Sequence, residues 1–448
     1  MKKELINYDI SKQFDTHILK ETIVLPVYQN ELFITCFVCE SSNIEEFKKY
    51  VKITIKTIFT KQEIILFEID NLALKRELFI LSKQLIVSSS ERNTRFFIYQ
   101  IINLAVSKNA SDIHIETMSE VLSVKFRIDG VLIEFFCFDI AIFSLVSSLL
   151  KLFANLDITQ RRLPQNGRFV VNELSNYDFR ISFMPTINGE SIVIRILEKD
   201  FDRFYLDKIG FSDSSLALIK EKITMTQGLI LVTGPTGSGK TTTLYSIIKE
   251  LKDTNKKIIT VEDPVEYKID NITQISLNRE IGLVYTEILK NILRQDPDIL
   301  LIGEIRDTES LQSAVSAAMT GHLVFATLHT NDAVSTIFRL LDLQGEGFLI
   351  ASVLKCIIAQ RLVRKRCECS EDTGCTECNH TGYKSRTIIS EVLNIDENLA
   401  SLITSNATLL EMKQQALLSG FVGMYEDGMQ KIQRGITTKE EIFVALKS

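Results

Sequence analysis

Proline and glycine are scarce in this chain of 448 residues, with 6 and 19 occurrences. That scarcity excludes collagen-like repeats and leaves little room for long low-complexity linkers. No excess of basic charge is present either: 51 Lys and Arg stand against 57 Asp and Glu, a formal net charge of −6. A surface that binds duplex DNA through counterion release needs the opposite balance, so no specific nucleic acid is an expected partner. The opening stretch MKKELINYDISKQFD lacks the apolar run and small residues of a secretory leader. The longest charge-free stretch, Ser310 to Asn331, is interrupted by Gln312, Ser313, Ser316, Thr320 and His322 and is too polar to span a bilayer. The expectation is a cytoplasmic protein, peripheral to a membrane and meeting it only through partners.

What remains is ordinary globular composition, 45% hydrophobic and 24% charged, in a chain too long for one core. Eight cysteines in a reducing compartment stay as thiols, and four of them (Cys367, Cys369, Cys375, Cys378) fall within twelve residues, which points to metal rather than disulfides. Cys36 and Cys39 have CxxC spacing, but the run from Phe33 to Cys39 reads as a buried strand, so packing is the expected role. Cys137 and Cys356 also sit among apolar residues.

Three regions are expected. Residues 1–88 alternate short apolar runs with polar turns, and Ile23 to Val27, Gln29-Asn30 and Leu32 to Val38 predict a hairpin. Residues 89–205 read as an α+β module: Phe97, Ile98, Ile101, Ile102 and Ala105 recur at helical spacing, and strands are predicted at Ile113 to Glu116, Val121 to Ile128 and Val131 to Phe138. A linker is expected near Lys199 to Lys208, followed by a helix around Leu216 to Ile223. Residues 206–448 then alternate strand and helix, with strands at Leu229 to Thr233, Ile258 to Val261, Ile299 to Ile302 and Leu323 to Leu328, which predicts a mostly parallel sheet.

The chemistry lies in that last region. Gly234-Pro-Thr-Gly-Ser-Gly-Lys240-Thr241 fits GxxxxGK[ST] between a predicted strand and a predicted helix. Backbone N–H groups of such a loop wrap phosphates, and the helix N-terminus adds positive potential. Lys240 would reach the β- and γ-phosphates of ATP and the Thr241 hydroxyl would ligate Mg²⁺. Leu300-Leu-Ile-Gly-Glu304 is a buried strand ending in an acid, with Gly303 where many P-loop enzymes place the magnesium-binding Asp. Glu304 then polarises water, holds the metal's shell, or both; the competing reading is a cap for the next helix. Glu262 and Asp263 leave another strand end on the ligand-facing edge. His322 and His329 bracket the last strand, which suggests a phosphate sensor.

Four segments in order resemble the secretion ATPase superfamily, specifically the type II secretion and type IV pilus assembly ATPases: Gly234 to Thr243, Thr260-Val-Glu-Asp-Pro-Val-Glu266, Asp296 to Asp307, and Ala326-Thr-Leu-His-Thr-Asn-Asp-Ala333. Ala110 to Glu116, Phe126 to Gly130, Arg162 to Arg168 and Arg180 to Thr186 match as well, so residues 95–395 are covered. The resemblance implies an α/β fold: a RecA-like P-loop core, a preceding α+β (PAS-like) module and a small N-terminal docking domain. It assigns nucleotide contacts to Gly234, Thr236, Gly237, Ser238, Gly239, Lys240, Thr241 and Thr242, the catalytic carboxylate to Glu304, positioning of water and metal to Glu262, and nucleotide sensing to His329. Arg168 and Arg180 match arginines that the family brings onto the nucleotide. It further implies a homohexamer, an inner-membrane platform protein and a membrane docking protein as partners. The four cysteines match a zinc site of the family, although the first pair here is CxC, which leaves open whether Cys369 or His380 completes it. A retraction ATPase or a type IV secretion or DNA-uptake ATPase of the same superfamily is the alternative, and these usually lack the cysteine cluster; a non-hydrolysing scaffold is disfavoured by the intact Lys240 and Glu304.

Overall fold

A computed structural model describes residues 13–29, 33–51, 54–59, 62–88, 90–199, 204–278, 281–369, 375, 378 and 381–447. Asn30, Leu32, His380 and residues 200–203 of the expected linker lie outside the described residues. The chain divides into two compact units, Met1–Lys199 with Cys367–Lys384, and Asp200–Arg366 with Ser385–Ser448.

In the first unit, β1 (Leu25–Gln29) pairs antiparallel with β2 (Phe33–Val38), the expected hairpin, and β3 (Thr54–Phe59) adds in parallel. Leu19, Val24, Val27, Ile34, Phe37 and Phe47 close a small core over this sheet. Cys36 and Cys39 are buried in it, in keeping with the packing role. The 27-residue helix Gln62–Ser88 follows. Its Ile65 and Ile69 enter the small core, whereas Leu78 and Leu85 enter the next one, so one helix serves both.

That next core lies on a six-stranded antiparallel sheet made by β4 (Ala110–Thr117), β5 (Val121–Ile128), β6 (Val131–Asp139), β7 (Gln165–Phe169), β8 (Tyr177–Thr186) and β9 (Gly189–Glu198). Their order is β6-β5-β4-β9-β8-β7. Helices Glu91–Ser107 and Phe143–Phe153 contribute Phe97, Ile101, Val146 and Leu150 to the same core. Three strands, β7 to β9, lie beyond those expected. Cys137, expected among apolar neighbours, is exposed on β6, because alternation points it to the outer face. An ion pair sits inside this core: Lys151 Nζ lies 2.7 Å from Glu190 Oε1, and both side chains are almost fully buried. Ser147 donates to the other Glu190 oxygen, and Lys151 also donates to the Gln160 carbonyl. The pair thereby pins the loop that leads into β7.

The second unit carries β10 (Gly228–Thr233), β11 (Ile258–Glu262), β12 (Thr273–Ser276), β13 (Ile299–Ile302), β14 (Leu323–Leu328), β15 (Leu354–Arg366) and β16 (Tyr383–Asn394) in the order β12-β11-β13-β14-β10-β15-β16. The pairs from β12 through β15 run parallel, as the strand and helix alternation predicts. Residues of β10, β11, β13 and β14 are buried without interruption, the condition of a sheet covered on both faces. Alternate side chains sort accordingly: Leu229 and Leu231 enter one core with Leu311 and Ile337, while Ile230 and Val232 enter another with Leu244 and Ile248. Helices Glu397–Thr404, Leu409–Leu418, Met424–Gln433 and Lys439–Lys447 end the chain. Among the described residues, no helix is long and apolar enough to cross a membrane.

Candidate active site

A cavity of about 550 Å³ opens at the C-terminal ends of β10, β11, β13 and β14, where parallel strands leave their loops on one edge. Its floor is the loop between β10 and helix Lys240–Leu251. Gly239 precedes that helix at φ 91° and Gly234 sits at φ 145°, backbone states that favour glycine. A Cβ on Gly234 would also lie 2.4 Å from the Gln360 carbonyl oxygen. Gln360, wholly buried on β15, fastens the loop from beneath: its amide donates to the Ser238 carbonyl at 2.8 Å, and its oxygen accepts from Thr243 at 2.7 Å. Thr236, Gly237, Ser238, Gly239, Lys240, Thr241 and Thr242 all line the cavity. The Lys240 ammonium donates back to the Gly234 and Pro235 carbonyls. Burial brings its pKa down to about 8, opposed by the Glu304 carboxylate.

Glu304 emerges from β13 into this cavity between two partners. Arg306 Nε donates to one oxygen at 2.6 Å, and His329 Nε2 lies 3.4 Å from the other. The next helix, Thr308–Met319, is capped by Asp307 and Ser310 in a reciprocal box, so Glu304 is not its cap. Burial and the Lys240 charge lower the His329 pKa, which keeps the ring neutral near pH 7. His322 is not part of the site. It precedes β14, at the opposite edge of the sheet from the cavity, and its Nδ1 contacts the Ala317 carbonyl and Thr320 hydroxyl. Glu262 reaches the cavity wall nearly buried: one oxygen accepts from Tyr245 at 2.6 Å, the other from Thr260 at 2.6 Å. Burial and the Glu262 charge raise the Tyr245 pKa, so the phenol stays a donor.

Arg168 and Arg180 belong to the first unit and stand opposite each other on β7 and β8. Register continues the row: Arg180 faces Arg195 on β9, Arg195 faces Asp112 on β4, and Asp112 faces Arg127 on β5. Cross-strand partners share a face. One face thus carries four arginines, with Asp112 bound to Arg195 at 3.2 Å and to Arg127 at 3.6 Å, and Arg168 bound to Asp178 at 2.7 Å.

The thiol sulfurs of Cys367, Cys369, Cys375 and Cys378 lie within 4.8 Å of one another, and the Cys367–Cys375 pair is 3.7 Å apart. Four sulfurs around a tetrahedral Zn²⁺ at ~2.3 Å would be separated by a similar distance. Cys369 faces the other three despite the tight CxC spacing, and the Cys375 N–H donates to the Cys378 sulfur. The donor set could hold zinc.

Residues 89–444 match the model of the family described as type II/IV secretion system protein. The chain belongs to that family. It is 44% identical over 351 residues to the type II secretion system protein HxcR of Pseudomonas aeruginosa, covering 76% of this chain and 75% of that one. To the type IV pilus assembly ATPase PilB of Myxococcus xanthus it is 40% identical over 379 residues, covering 77% and 67%. Among solved structures, the pilus retraction motor PilT with bound ADP superposes with a TM-score of 0.58 at 30% identity, covering 77% of this chain and 96% of that one. The secretion ATPase family therefore supplies a RecA-like fold, and the chain is an ATPase of this family.

Four further residues line or brace this secretion ATPase site: Arg306, Tyr245, Tyr285 and Gln360. Arg306 stands two positions after Glu304 and could have been found from that spacing. Tyr245, Tyr285 and Gln360 could not, because only the sheet order brings β15 and the helices after β10 and β12 to one edge.

Proposed function

We propose that the chain is a motor of type II secretion or type IV pilus assembly, a homohexamer that works in the cytoplasm on an inner-membrane platform protein. The observation that carries this reading is the convergence of Lys240, Glu304 and His329 on one crevice. Lys240 and the loop N–H groups would take the phosphates of ATP, and the exposed Thr241 hydroxyl at the cavity would hold Mg²⁺, which supplies charge neutralisation when bound. Glu304 orients water, held between Arg306 and His329. Glu262, with both oxygens engaged, fixes the β11 edge and so supports water and metal indirectly. Arg168 and Arg180 act on the nucleotide as cations, which suits the charged face they share. The cysteine cluster holds a structural zinc and favours assembly over retraction. Residues 1–88 act as a docking domain for a membrane protein.

The test is Glu304→Gln in the full chain. A carboxylate that acts mainly in the transition state leaves nucleotide binding within about threefold while turnover falls ~100-fold or more. Unimpaired hydrolysis would refute the role.

A further inference from the structure

The departure at Gly303 has a counterpart in space. A Cβ at that position would lie 2.7 Å from the Tyr285 hydroxyl, 3.1 Å from the Val261 carbonyl oxygen and 3.4 Å from the Glu262 Cα. A side chain at 303 and the phenol at 285 therefore exclude each other. Tyr285 is the first residue of helix Tyr285–Ile292 and lines the cavity together with Asp263, Gly303, Glu304 and Arg306. Its ring packs against the apolar core that contains Ile288 and Ile302, so the hydroxyl is the polar tip of an anchored side chain. The charges of Asp263, Arg306 and Glu304 all act on the phenol.

We propose that Tyr285 is a further catalytic residue of this ATPase: its hydroxyl occupies the space that an acidic side chain at 303 would fill and donates to the γ-phosphoryl oxygens of ATP as the group is transferred. A phenol has one donor and spare acceptor capacity. Tyr285 lines the crevice, so its one proton can be offered there. Burial and Asp263 push its pKa up to about 12, so that proton stays in place at neutral pH. An uncharged donor aimed at developing charge in a walled site stabilises the transition state more than the bound ground state. The position thus trades an acceptor carboxylate on β13 for a donor on the neighbouring helix. This inference rests on the reading of Glu304 as the residue that orients water.

The experiment uses the full chain as purified, with Tyr285→Phe and Glu304→Gln side by side. Turnover, the affinity for ADP, the affinity for ADP with aluminium fluoride as a mimic of the group in transfer, and the melting temperature are measured for each. Tyr285→Phe is expected to lower kcat and the affinity for the aluminium fluoride complex together, by roughly tenfold to a hundredfold, with ADP affinity unchanged. Unchanged kcat in Tyr285→Phe beside an inactive Glu304→Gln overturns the role of Tyr285 alone. Normal hydrolysis by Glu304→Gln overturns the reading of Glu304 and this inference with it. An equal loss of affinity for ADP and for the aluminium fluoride complex marks a packing role and also overturns it. If Tyr285→Phe melts early, a monofluorinated tyrosine at 285 replaces it, a near-isosteric and stronger donor. It should bind the aluminium fluoride complex more tightly, and unchanged binding refutes the proposal.

Discussion

The two sheets of this protein place their candidate residues in different ways. In the parallel sheet of the second unit, β10, β11, β13 and β14 are buried throughout, and the candidate residues lie at or just past their ends: Gly234 after β10, Glu262 at the end of β11, Glu304 after β13 and His329 after β14. In the antiparallel sheet of the first unit, Arg168, Arg180, Arg195 and Arg127 lie within strands, in a row that Asp112 completes across five strands. A sheet covered on both faces can offer only its edge to a ligand, whereas a sheet with one open face can offer a surface. The crevice supplies a closed set of short contacts, and the arginine face supplies charge to whatever is brought against it.

The sharpest way to break this contrast is Lys240→Ala. If the edge alone binds nucleotide, the affinity for ADP falls by on the order of a hundredfold or more, measured by calorimetry, while the melting temperature without nucleotide holds or rises, because a half-buried ammonium is gone. Next comes Arg180→Ala, which should lower kcat by on the order of a thousandfold if the guanidinium meets the transferring group, with ADP affinity nearly unchanged. Equal losses in kcat and ADP affinity would erase the distinction between edge and face.

Lys151→Met probes what holds the face in place. It leaves Glu190 buried without its partner and should destabilise the first unit by ~3–5 kcal/mol, read from denaturant melts. Cys375→Ser with Cys378→Ser should reduce zinc to well under one ion per chain by elemental analysis and lower the melting temperature, with basal hydrolysis within about twofold of the parent. The smallest effect concerns pH. Since only the charged Lys240 attracts phosphate and its pKa without nucleotide is about 8, ADP affinity should fall by up to roughly fivefold between pH 8 and pH 9. The sign for stability is opposite: above pH 8 the unfolded chain holds more protons at this lysine than the native one, so the nucleotide-free protein gains stability from this group until the ordinary lysine pKa is reached. Calorimetry and thermal melts across this range check both.

The amino-acid sequence by itself determined the strand and helix alternation after Gln227, the phosphate loop, and the ends of β13 and β14, because continuous apolar runs bounded by glycine and acidic residues leave few other ways to pack. The hairpin at the N-terminus and β4 to β6 were legible for a similar reason, their alternation with a period of two. Local pattern could not place His322, which shares a segment with His329 yet sits at the other end of a six-residue strand, nor show that Asp307 rather than Glu304 caps the following helix. Tertiary structure alone decided that Gln360, more than a hundred residues from the phosphate loop, would fasten it, that Tyr285 would fill the space beside Gly303, and that four arginines would align across one face. Those contacts depend on strand order and register, which are set by the packing of whole layers, and a linear pattern carries no record of which strand end comes to lie beside which.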